Sequence, residues 1–134
     1  MEALRIITEE HQNLWRIAVT MDQVADDIEA GGAIEREFFN SLFDYIEQFV
    51  DKAHHPKEDD YLFRFLRQRS EEAGPILDRL QAEHRNGPEI LKALRQKLVD
   101  AASGKLGGPD FAFALRTYTA GLKSHIHTEE KEAI

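Results

Sequence analysis

Apolar residues recur along this chain in steps of three and four, and each run is broken once by histidine. The first run carries Leu4, Ile7, His11, Leu14, Ala18, Met21, Ala25 and Ile28. A later run carries Leu77, Leu80, His84, Gly87, Leu91, Leu94 and Leu98, and a last one Phe111, Leu115, Tyr118, Leu122, His125, Glu129 and Glu132. This is the stripe of a helix that packs on other helices. The second run is more crowded, from Phe39, Leu42, Phe43, Ile46 and Val50 through His54 and Glu58 to Leu62, Phe65 and Leu66. Nothing alternates as a strand does. The loop-forming stretches "EAGGAI", "EEAGPI" and "SGKLGGPD" divide the chain, because glycine and proline punctuate regular structure. They predict helices near residues 2–30, 34–72, 75–103 and 109–134. Pro75 suits a first helical turn, and Asp110 favours the positive end of a helix dipole. Long helices with short connections predict an all-α, up-down-up-down antiparallel four-helix bundle, one domain over residues 1–134.

Composition narrows the function. The chain has 134 residues, 42% hydrophobic and 31% charged, with a net charge of −8. An acidic surface argues against nucleic acid and against anionic membrane faces. There is no apolar run long enough to span a bilayer, and the start of the sequence lacks a basic stretch followed by an apolar one. The sequence contains no cysteine. That excludes disulfides, thiolate metal sites and thiol nucleophiles, and it points to a reducing, cytoplasmic setting. Any metal must be held by histidine and carboxylate. Neither a nucleophilic serine in a strand–helix elbow nor a glycine-rich phosphate loop is present.

The histidines carry the chemistry. His11, His54, His84 and His125 fall on the apolar stripes, one per helix. Glu58 and Glu129 lie four residues after His54 and His125. Residues four apart share one face of a helix, so each pair can aim an imidazole and a carboxylate at one point. A lone histidine on an apolar face is usually a satisfied core residue, and a lone His/Glu pair is usually a surface pair. Four such histidines on four helices are hard to explain that way. His11 and His84 lie early in their helices and His54 and His125 late, so alternating helix directions would bring them into one layer. Buried carboxylates need partners. A cation supplies them, and nitrogen and oxygen donors suit iron, manganese or zinc. Six ligands exceed one tetrahedral zinc. Two ions bridged by Glu58 and Glu129 would use all six and leave an open position.

The words "EEHQNLW", "HHPKEDDYLF", "EHRNG" and "HIHTEEKEAI", in this order and spacing, resemble the hemerythrin-like, or HHE cation-binding, domain over nearly the whole chain. The resemblance implies a four-helix bundle with two non-haem iron ions bridged by two carboxylates and an oxygen species. His11, His54, His84 and His125 would be terminal ligands, and Glu58 and Glu129 the bridges. The expected partner is a small diatomic or peroxide ligand, O2, NO or peroxide, used for sensing, detoxification or iron handling. The alternative is a metal-stabilised regulatory or interaction module without small-ligand chemistry. Oxygen carriers of this family have a fifth histidine on the third helix, whereas one turn from His84 this chain has Leu80 and Pro88. That disfavours reversible oxygen carriage. Their last carboxylate would fall at Glu130; the repeated offset of four favours Glu129. Relatives continue with more helix, so a larger parent protein is an expectation, as is a homo-oligomer.

Other residues near the stripes have less specific expectations. On an ideal helix His55 and His127 turn away from the stripe, so both are expected outside the ligand set. Asp59, Asp60 and Glu130 are expected to be solvated or to hydrogen-bond metal-bound histidines. Pro56 should bend the second helix. Gly87 should leave a gap beside the metal, and Trp15 and Tyr118 should pack in the bundle.

Overall fold

The computed structural model describes residues 2–133. Among them every regular element is helical, and four long helices form the bundle. The first helix is Glu2–Glu29. The second runs over residues 36–69, the third is Gly74–Ala102, and the fourth is Gly108–Thr128, continued by a turn over Glu129–Ala133. Each boundary lies within a few residues of the one read from the glycine and proline positions. Two of those glycines have positive φ. Gly31, at φ 98°, follows the first helix, and Gly104, at φ 82°, follows the third. The reversals are closed by N–H groups of Gly32 on the Asp27 carbonyl and of Lys105 on the Asp100 carbonyl, both at 2.8 Å. Such left-handed stops satisfy helix-end carbonyls that would otherwise be orphaned.

Apolar burial falls into two clusters. The larger joins all four helices through Leu14, Met21, Phe39, Phe43, Leu98 and Phe111, among others. The smaller consists of Ile7, Leu62, Phe63, Leu77 and Leu80. Burying a large apolar side chain contributes about 1.5–3 kcal/mol, so these clusters provide the main drive to fold. Between them lies a polar layer. Along the first helix the order is Ile7, His11, Leu14; along the second it is Val50, His54, Glu58, Leu62. The layer is thus closed above and below by hydrocarbon.

The second helix departs from α geometry. Ile46–His54 and Glu58–Phe63 are wound as π-helix, with only His55–Lys57 as α-helix between them. The His55 N–H bonds the Val50 carbonyl, five residues back. π turns are rare and concentrate at functional sites. Pro56 lies in the α interval. The expected disturbance at this proline takes the form of wide winding on both sides, which relieves a ring that can neither donate nor sit under an α-helical carbonyl.

Candidate metal centre

The polar layer contains every residue singled out by spacing. His11 and His54 are 1% exposed, Glu58 and Glu129 0%, His84 6% and His125 8%. Their rings and carboxylates converge. His11 Nε2 lies 2.9 Å from Glu58 Oε2 and 2.9 Å from Glu129 Oε2. Glu58 Oε1 lies 3.3 Å from His54 Nε2 and 3.2 Å from His84 Nε2. Glu129 Oε1 is 3.4 Å from His84 Nε2 and contacts His125 Nε2. Both carboxylates therefore reach both sides of the layer. One oxygen of each faces His11, and the other faces His84.

The opposite ring nitrogens all face outward to carboxylates. His54 Nδ1 pairs with Glu10 at 2.7 Å, His84 Nδ1 with Asp59 at 2.8 Å, His125 Nδ1 with Glu83 at 2.7 Å and His11 Nδ1 with Glu130 at 3.2 Å. The pairing is cyclic. The first helix supplies the second, the second the third, the third the fourth, and the fourth the first. Each of these carboxylates is also the sequence neighbour of an inward ligand: Glu10 of His11, Asp59 of Glu58, Glu83 of His84 and Glu130 of Glu129. An Nδ1–H donated to a carboxylate leaves Nε2 as a lone pair in the neutral ring. Yet His84 Nε2 and His125 Nε2 face each other at 2.9 Å, and two lone pairs at that distance repel unless a cation lies between or beside them. Glu58 Oε1 and Glu129 Oε2 are buried and receive no hydrogen bond. The donor set therefore fits a cation.

The protein resolves these residues into two groups that could hold an ion: His11, His54, Glu58 and Glu129, and His55, Glu58, His84 and His125. Within each group the ligand atoms lie within 4.8 Å of one another. The family model for the hemerythrin HHE cation-binding domain matches residues 2–134.

The chain belongs to the hemerythrin HHE cation-binding family. No curated protein and no solved structure matches it. A cation-binding role follows for this HHE domain, and the two His/Glu groups are where its own side chains could provide it. Among the described residues, no helix is long and apolar enough to cross a membrane.

Without a cation, His11, His84 and His125 are drawn toward their charged forms, while burial holds His55 neutral. Burial opposes the charged form of His11, but the adjoining Glu129 and Glu58 carboxylates outweigh it and raise the imidazole to about 10. Burial is likewise overcome at His84, where Asp59, Glu129 and Glu58 raise it to about 11. His125 is raised in the same sense by Glu129. Glu129 is held far below its ordinary value against its own burial, by hydrogen bonds with Glu58, His11, His125 and His84. On these three rings a proton and a metal ion compete for the same nitrogen, so metal binding would release protons.

Sequence spacing anticipated six of these side chains and missed three that matter. His55 was expected to turn aside by about a quarter turn. It is 9% exposed and stacks on His84 at a centroid distance of 4.0 Å and 12° between planes. Phe63 covers the other face of His84 at 5.5 Å. The π winding accounts for the difference, since it changes the angle between successive residues and turns His54 and His55 both inward. Glu10 and Glu83 were also missed. The only local signal was a glutamate directly before a histidine in "EEHQ" and "AEHR", and each serves a histidine on a different helix. Glu129 lies inside the layer, while Glu130 is 44% exposed and bonds His11 from outside. His127 and Asp60 are exposed, as expected. Trp15 departs from expectation: it is 41% exposed, with Lys123 Nζ 5.5 Å from its ring centre. Gly87 leaves no open gap toward the layer, because the Asp51 carboxylate occupies that space, 3.0 Å from where a Cβ would stand.

Proposed function

We propose that this HHE domain is a non-haem di-iron protein that binds O2, NO or peroxide for sensing, detoxification or iron handling. The observation that carries this reading is the double reach of Glu58 and Glu129. Each directs one oxygen toward His11 and the other toward His84. That is what bridging carboxylates require. His11 and His54 would hold one ion. His84 and His125 would hold the other, with His55 as a further donor beside them. Manganese or zinc could use the same nitrogen and oxygen donors.

Bound iron supplies redox chemistry and an open coordination position. The chain's own residues supply the rest. Glu10, Asp59, Glu83 and Glu130 keep the Nδ1 protons in place, so the Nε2 lone pairs point inward. Such partners fix ring orientation and raise ligand basicity. Phe63 and Leu62 on one side and Leu14 on the other cover the layer with hydrocarbon, and Val50 and Leu122 stand between it and the cavity.

Metal analysis with an optical spectrum before and after azide tests the reading. Two irons per chain and charge-transfer bands that azide changes are expected. Bound metal whose spectrum ignores azide would instead indicate a structural site, and metal-free protein indifferent to added iron would refute any metal role.

A further inference from the structure

A second site lies beside the metal layer and touches it at His55 and His125. Between the third and fourth helices, against Val50 of the second, is a cavity of about 550 Å³. That is within the 300–1,000 Å³ range of small-molecule sites. Its walls are mostly hydrocarbon, from Val50, Ile90, Leu94, Phe113 and Leu122. Phe113 and Ile90 are 70% and 51% exposed and mark the solvent end. The inner end is polar, where Asp51 and His55 meet the lining.

Asp51 is unusual. Its side chain is only 6% exposed, its Oδ2 has no hydrogen-bond partner, and neither a lysine nor an arginine pairs with it among the described residues. His55 Nδ1, 3.6 Å from Asp51 Oδ1, is also buried without a partner. Gly87 makes room for the carboxylate, since any Cβ there would press on Oδ1. Two orphaned polar atoms at the closed end of an apolar cavity define the head group they would accept. Asp51 needs a donor, and an imidazole N–H needs an acceptor. A carboxylate head would meet Asp51 with like charge. An ammonium head would satisfy Asp51 but could accept nothing from His55, and would bring positive charge against a cation-binding layer. A hydroxyl both donates and accepts.

We propose that this cavity binds a small, mostly apolar alcohol or phenol, its hydroxyl donating to Asp51 and accepting from His55, its hydrocarbon lying along Ile90, Leu94 and Phe113. The alcohol site touches the metal layer at His55 and His125 but is anchored on Asp51, which is outside both ligand groups, so loss of alcohol binding with iron content unchanged would leave the di-iron reading untouched.

The test uses the full chain loaded with iron and three probes of equal length, n-octanol, octanoate and octylamine, titrated by calorimetry with ligand-detected NMR. Octanol should saturate at one per chain and bind about tenfold tighter than either charged probe, the effect of about one well-made hydrogen bond. Asp51→Ala should remove that preference. Gly121→Phe should abolish octanol binding with iron content unchanged, because Gly121 lines the cavity and a Cβ there meets nothing within 4 Å. Should Gly121→Phe fail to fold, the Asp51→Ala comparison decides alone. Equal affinity for the three probes, octanol binding that survives Gly121→Phe, or no saturable binding up to the solubility of octanol, which would mean a cavity filled by water only, each overturns the proposal.

Discussion

The two halves of the centre use the same residue types in different surroundings. His11 and His54 are 1% exposed and meet edge to face at 5.0 Å. His84, His125 and His55 are 6%, 8% and 9% exposed, and His55 and His125 line the cavity between the third and fourth helices. One half is sealed, the other lies next to an entrance. The difference teaches a division of labour under the di-iron reading. A sealed ion loses its ligands only if the bundle opens, whereas an ion beside a cavity can exchange a small ligand without unfolding. Glu58 and Glu129, belonging to both halves, couple them.

The largest expected effect is at the shared carboxylate. Glu58→Ala should empty both halves, read as loss of nearly all bound metal by elemental analysis; retention of a full complement would remove Glu58 from the site. Next come single histidines. His11→Ala and His125→Ala should each lose about half of the bound metal, and the retained half should still respond to azide only in His11→Ala. Identical behaviour of the two variants would abolish the distinction between sealed and open. Smaller effects belong to the outer carboxylates. Glu10 is 14% exposed and also held by Lys57 at 2.8 Å, whereas Glu83 is 38% exposed. Removing such partners typically weakens metal binding 10–100-fold. Glu10→Gln should fall near 100-fold and Glu83→Gln near tenfold, measured by competition with a chelator; the reverse order would mean that burial does not set their importance. The smallest change concerns His55→Phe, which keeps the stack on His84 but removes the ring nitrogens. Affinity of the open half should drop by up to about tenfold, and an unchanged affinity would leave His55 a packing residue.

Much of this is legible in the sequence. Steps of three and four located the helices, and the early or late position of each histidine foretold that His11, His54, His84 and His125 would meet. Repetition of one offset singled out Glu58 and Glu129, both of which are fully enclosed. What escaped was set by geometry that local sequence does not encode. A period of 3.6 residues turns His55 outward, but the second helix is not wound at that period. The pairing of Glu10 with His54 spans 44 residues and that of Glu83 with His125 spans 42, so neither leaves a local pattern. The gap expected at Gly87 is filled, because the Asp51 carboxylate that occupies it comes from another helix, which the local sequence does not show.

The cyclic pairing of carboxylates and histidines also fixes an order of assembly. Chains leave the ribosome N-terminal end first. With three helices made, only the Glu10–His54 and Asp59–His84 pairs can exist; Glu83–His125 and Glu130–His11 both wait for the fourth helix. Glu129, which spans the layer, arrives with it. An unfinished or broken chain would therefore hold His11, His54 and Glu58 without Glu129, and His84 without His125, so tight capture of a reactive ion would be withheld until the last helix docks.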